Sequence, residues 1–194
     1  GYTYDKRSLL TSAEGGDVEL TYVYDSRGRL TSEGWDINGS TYSTSYGYDP
    51  ASNITQITYP STSSYGYTYD DVNRITALTG YASFDYNLNN RITSIYYPNN
   101  VTTSYSYDTR NRPTNITMGS LLTLNYDYDP AGNVLSLNDL DFTYDRMNRL
   151  KEETSVFDID YTYDSMGNRT QEVEGAVTTN YTYSNMMRLL SKTE

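Results

Sequence analysis

The stretch Tyr67-Thr68-Tyr69-Asp70-Asp71-Val72-Asn73-Arg74-Ile75 decides the fold. Two tyrosines at i and i+2 share one face of a strand, because strand side chains alternate. The aspartate that follows starts a turn by accepting a backbone N–H two residues on. Asn73 is a residue type that tolerates positive φ, as the last position of a type I turn with a bulge requires. Ile75 then opens a return strand. These nine residues read as one β-hairpin.

Working outward, the same unit begins at Tyr2, Tyr22, Tyr46, Tyr67, Phe84, Tyr105, Tyr126, Phe142, Tyr161 and Tyr181, at spacings of 16 to 24 residues. Its second aromatic is tyrosine every time: Tyr4, Tyr24, Tyr48, Tyr69, Tyr86, Tyr107, Tyr128, Tyr144, Tyr163 and Tyr183. The acid is Asp5, Asp25, Asp49, Asp70, Asp108, Asp129, Asp145 and Asp164, with Asn87 and Ser184 in the two remaining units. Three positions later stand Gly28, Asn73, Asn90, Asn111, Gly132, Asn148 and Gly167. Pro50 and Pro130 follow their aspartates directly, where a type I turn favours proline. Return strands carry apolar pairs such as Ile54/Ile57, Ile75/Leu78, Ile92/Ile95 and Val134/Leu137.

The expected fold class is therefore all-β, with about ten consecutive hairpins and residues 1–194 forming a single array. Some twenty strands at ~4.8 Å each would make a flat sheet about 100 Å wide. Sheets twist, and open ones rarely pass ~10 strands without curling or splitting. A coiled, spiralling antiparallel sheet with tyrosine ladders is expected.

Composition taken alone points the other way. Ile, Leu, Val and Phe make up about 18% of the 194 residues and the net charge is −11, which is the signature of disorder. The 24 tyrosines resolve the conflict, since 18 of them fill the two aromatic columns and supply large half-apolar side chains. No run of 18 apolar residues exists to span a membrane as a helix. With no Cys and no His, disulfides, thiolate metal sites and Ser–His–Asp chemistry drop out. Acidity with three lysines argues against nucleic acid. No signal peptide opens the chain, which starts at Gly1 inside the pattern and reads as a piece of something longer.

The repeat resembles the tyrosine–aspartate (YD) repeat of Rhs proteins, toxin-complex C-components and teneurins, over residues 2 to about 190. The resemblance implies a spiralling β-sheet wall around a chamber, which in bacterial members encloses a C-terminal toxic domain. The aspartate-dependent self-cleaving core of those proteins has no match here; Asp49-Pro50 and Asp129-Pro130 are ordinary repeat turns.

Other readings follow the residues. The motif arginines Arg29, Arg74, Arg91, Arg112, Arg149 and Arg188 form either an anion-binding ladder or partners for the repeat aspartates and tyrosine rings. Turn acids usually come singly, too few for calcium; Asp71, Asp127, Asp139, Asp141, Asp158 and Asp160 are the extra candidates. Asp139/Asp141 and Asp158/Asp160 give carboxylate proximity without a pocket. Sequons fall at Asn38, Asn53, Asn100, Asn115, Asn168 and Asn180. Exposed tyrosine rings offer stacking surfaces for sugars. No catalytic residue, cofactor or metal is assigned. The expected function is a non-enzymatic scaffold, extracellular or at the cell surface, whose partner is the rest of its parent polypeptide. The alternative is a glycan-binding adhesin or a fibre protein that self-associates end to end.

Overall fold

The computed structural model describes residues 1–154 and 158–194. All regular structure among them is β, and the strands divide between two compact units, residues 1–102 and 103–194. The first unit holds β1 (Tyr2–Tyr4), β2 (Leu10–Gly15), β3 (Val18–Tyr24), β4 (Leu30–Ile37), β5 (Ser40–Tyr48), β6 (Ile54–Thr58), β7 (Ser64–Tyr69), β8 (Ile75–Leu78), β9 (Ala82–Tyr86) and β10 (Ile92–Tyr96). The second holds β11 (Thr102–Tyr107) from its second residue on, then β12 (Pro113–Met118), β13 (Leu122–Tyr128), β14 (Val134–Leu137), β15 (Leu140–Tyr144), β16 (Leu150–Thr154), β17 (Ile159–Tyr163), β18 (Arg169–Glu174), β19 (Val177–Tyr183) and β20 (Leu189–Thr193). Within each unit every strand pairs antiparallel with its sequence neighbours, from β1 to β10 and from β11 to β20. This is the all-β hairpin array expected from the repeat.

Each odd strand and the even strand after it make one hairpin, and all ten hairpins turn alike. In the second, the Asp25 N–H donates to Arg29 O at 2.9 Å and the Gly28 N–H to Asp25 O at 3.0 Å. The last turn position is left-handed throughout, at φ 82° for Gly28 and φ 63° for Asn73. The structure extends this column to Ser8, Ser52 and Met187, at φ 63°, 75° and 57°. These residues pay a steric penalty there that glycine would avoid. The cooperative turn overrides their preference.

Beside the second aromatic of every hairpin the register slips by one residue. Val23 pairs with Ser32 but Tyr24 with Leu30, and the same shift recurs in the other nine. Such bulges disrupt the ladder locally and increase the strand's twist. The aromatic face is half-buried while residues between the aromatics, such as Val23 and Thr68, are exposed. Among the described residues no side chain is fully buried, and Tyr181 is the one large apolar side chain in the buried class. One sheet face with tyrosine packing replaces a closed core.

Candidate functional site: a two-way seam between hairpins

The turn aspartate organises each hairpin from within. Asp70 Oδ1 accepts the N–H groups of Val72 and Arg74 at 3.0 and 2.9 Å, and Oδ2 accepts Arg74 Nε at 2.6 Å. Asp25–Arg29, Asp108–Arg112 and Asp145–Arg149 repeat this bonding. In the first hairpin Arg7, two residues after Asp5, takes the guanidinium's place because Leu9 occupies the usual position.

All eight repeat carboxyls are held below the ordinary aspartate range. At Asp5, Asp25, Asp70, Asp108 and Asp145 the backbone N–H four residues on is the main cause, with partial burial opposing it. At Asp49 and Asp164 the amides of Asn53 and Asn168 lead. At Asp129 burial pushes upward most strongly of any single influence, and the hydrogen bonds from Asn133 and the turn backbone together outweigh it. Each of these bonds favours the charged carboxylate.

The same arginines then reach forward. Arg29 Nη1 donates to Asp49 O at 2.9 Å, and its guanidinium lies over the Tyr48 ring, 4.6 Å from the centroid. Arg112 does so to Asp129 O and Tyr128, and Arg149 to Asp164 O and Tyr163. Arg74 stacks on Tyr86 and donates to Asn90 Oδ1 at 2.8 Å. The arginines thus pair with aspartate and cover a tyrosine at once, each pair joining two hairpins.

A second bond runs backward across the same seam. Tyr24, Tyr48, Tyr69 and Tyr86 donate their hydroxyls to the carbonyls of Leu10, Leu30, Ile54 and Ile75. Tyr128, Tyr144, Tyr163 and Tyr183 do so to Pro113, Val134, Leu150 and Arg169, all eight bonds lying between 2.6 and 3.0 Å. Each acceptor opens the preceding return strand, beside the bulge. Burial raises the hydroxyl pKa of Tyr69, Tyr128 and Tyr144, further disfavouring the tyrosinate.

Sequence reasoning missed the variant that uses asparagine. Asn53 and Asn133 stand where arginine usually does; each gives one amide hydrogen to its own aspartate and the other to Asn73 or Asn148 of the next hairpin, at 2.7 and 2.9 Å. Left-handed asparagines therefore serve as seam acceptors as well as turn formers. Arg27 and Arg110 were also missed; their Nη1 atoms reach Pro50 O and Pro130 O at 2.7 and 2.6 Å. The signal available was the arginine two residues after the aspartate.

Arg91 and Arg188, whose turns begin with Asn87 and Ser184, make no ion pair among the described residues. Tyr4, in β1, is 61% exposed. The extra acids proposed for calcium join no group of three or more potential ligands among the described residues. Four of the six sequon asparagines hold their side-chain amides in hydrogen bonds among the described residues: Asn53, Asn115, Asn168 and Asn180. One seam departs from the pattern. Arg169 pairs with Glu172 at 2.8 Å and lies between the rings of Tyr161 and Tyr181, 5.3 and 4.7 Å away.

Comparison with known proteins places this geometry. The family model described as Teneurin YD-shell matches residues 1–80 and 77–138. The chain superposes on a Photorhabdus luminescens Tc holotoxin pore with a TM-score of 0.70 at 19% identity, covering 94% of this chain and 12% of that one. It superposes on TcdB2-TccC3 at 0.69 and 20% identity, and on TcdB2-TccC3-Cdc42 at 0.68 and 19%. Those two matches cover 92% of this chain and 13% and 12% of theirs, so the chain spans about an eighth of these structures. At such identity the likeness is one of fold. No curated protein matches the chain. With ten copies of the repeat and the family model matched over most of its length, the chain belongs to the Teneurin YD-shell family.

Proposed function

We propose that this chain is a wall segment of a YD-repeat shell: a non-enzymatic scaffold that, with the rest of its polypeptide, encloses or displays another domain outside the cell. Residues 1–194 act in it as one array. The seam is the observation that carries this reading. It joins hairpin to hairpin by side chains that recur with the repeat, so the wall has no dedicated interior and needs none. Arg29, Arg74, Arg112 and Arg149 and their aspartates all take part in making it, which supports a structural role for them.

Electron microscopy of the whole polypeptide, purified from its source, tests this. A hollow β-walled particle is expected. Extended strings would instead support the fibre reading. A compact particle without a chamber would defeat both.

A further inference from the structure

Outside the two repeat columns, the first unit carries a second group of tyrosines that the seam does not use. Tyr59 meets Tyr65 edge to face, with centroids 5.7 Å apart at 83°, and Tyr65 meets Tyr81 at 5.2 Å and 31°. Tyr59 starts the turn that links β6 to β7, where its N–H donates to Ser63 O at 2.9 Å. Tyr81 follows Gly80 on the turn between β8 and β9. Gly66 lets that turn approach β7: a Cβ there would stand 2.9 Å from Thr79 Oγ1, and the Thr79 N–H donates to Gly66 O at 2.8 Å. Two adjacent turns and one glycine thus bring the three rings together.

Beside them opens a cleft of about 540 Å³ lined by Tyr59, Ser61, Ser63, Tyr65, Tyr67 and Leu78, within the ~300–1,000 Å³ range of small-molecule sites. None of these residues is charged at neutral pH, in a protein of net charge −11. Tyr59 and Tyr81 remain 43% and 51% exposed. Ser61 and Ser63 bond each other at 3.2 Å and set hydroxyls at the rim.

We infer that this cleft binds a neutral carbohydrate. A pyranose presents C–H groups on its faces and hydroxyls around its edge, which matches aromatic rings flanked by serines. An ionic ligand finds no counter-charge in the lining, and a purely apolar one would bury the Ser63 hydroxyl proton without an acceptor. The inference is independent of the shell, since a wall can carry such a cleft or lack it.

Saturation-transfer NMR on the whole chain, with lactose, cellobiose and N,N′-diacetylchitobiose at millimolar concentration, tests it. Transfer to at least one disaccharide is expected, weakened about tenfold by Tyr59→Ala or Tyr65→Ala and retained in Tyr59→Phe. Tyr2→Ala, which removes an exposed ring elsewhere, leaves it unchanged. Ring-resonance mapping of the unmodified chain gives the same answer without a variant, with shifts expected at Tyr59, Tyr65 and Tyr67. No transfer from any of the three sugars, or shifts confined to other tyrosines, would overturn the inference.

Discussion

Tyr128 donates its hydroxyl to the main-chain carbonyl of Pro113 at 2.7 Å while its ring carries the Arg112 guanidinium, 4.3 Å from the centroid. One side chain thereby receives a cation from the hairpin before it and returns a hydrogen bond to that hairpin's backbone. Removing only the hydroxyl, in Tyr128→Phe, should cost about 1 kcal/mol, because the carbonyl beside the bulge loses its partner. Tyr128→Ser loses the ring too and should cost about 3 kcal/mol. Tyr97→Ser, outside the columns, should cost less. Denaturant melts of the three variants decide it; equal midpoints for the two serine variants would sink the ladder argument.

Arg112→Ala removes the bond to Asp108, the bond to Asp129 O and the ring contact together, and should lower stability by about 1–2 kcal/mol. A double-mutant cycle with Tyr128→Leu isolates the ring contact, for which a coupling of about 0.5–1 kcal/mol is expected. Arg91, in no ion pair among the described residues, supplies the comparison. If Arg91→Ala proved as costly as Arg112→Ala, the seam would not be the source of the loss.

Acid should unlock many turns over one narrow range. The eight repeat aspartates titrate below their ordinary value in the folded chain. The stability they contribute is present above the unfolded pKa of about 3.9 and is lost as pH falls through the folded values. Melting temperature should hold from neutrality to about pH 4 and then drop. Carboxyl-carbon NMR titration reads the midpoints directly, and ordinary aspartate midpoints would count against the hydrogen-bond account.

At the alkaline end Tyr46 is the marker. Burial, aided by its 2.8 Å hydrogen bond to Glu33, pushes its hydroxyl up to about 12. This contribution to stability is present below about pH 10, the unfolded value, and is lost as pH rises through the folded one. Glu33→Gln keeps a bonding partner but removes the charge, so the Tyr46 midpoint should move down toward 10. Tyrosinate absorbance with Tyr46→Phe as the blank measures it. An unmoved midpoint would leave burial as the sole cause.

Met187 occupies the left-handed turn position at φ 57° with its side chain 54% exposed. Met187→Asn relieves backbone strain without removing packing and should stabilise the last hairpin by up to about 1 kcal/mol. Amide exchange in β20 reports it. Slower exchange is expected, and unchanged rates would mean that the turn stores no strain.

Hairpins, turn aspartates and aromatic columns were legible in the sequence because each depends on neighbours a few residues apart. The seam was only half legible. Arg29 could be assigned to aspartate or to a ring, but its second partner, Asp49 O, belongs to the following repeat. Repeat lengths from 16 to 24 residues hide which atoms come level across two strands. Asn53 and Asn133 look like turn residues because asparagine has many local uses, and only the fold shows their amides bridging hairpins. The Tyr59–Tyr65–Tyr81 cluster was illegible for a different reason: it depends on a close approach at Gly66 that no periodicity records.

The backward tyrosine bond also gives the wall an order of assembly. Each hydroxyl seeks a carbonyl that lies 10 to 18 residues earlier in the chain, in a hairpin already complete. Ribosomes add about 5–20 residues per second, whereas a hairpin closes in about 1–10 μs. Each hairpin therefore has ample time to latch onto its predecessor before the next emerges. The wall can be laid course by course during translation, with little need for distant segments to find one another.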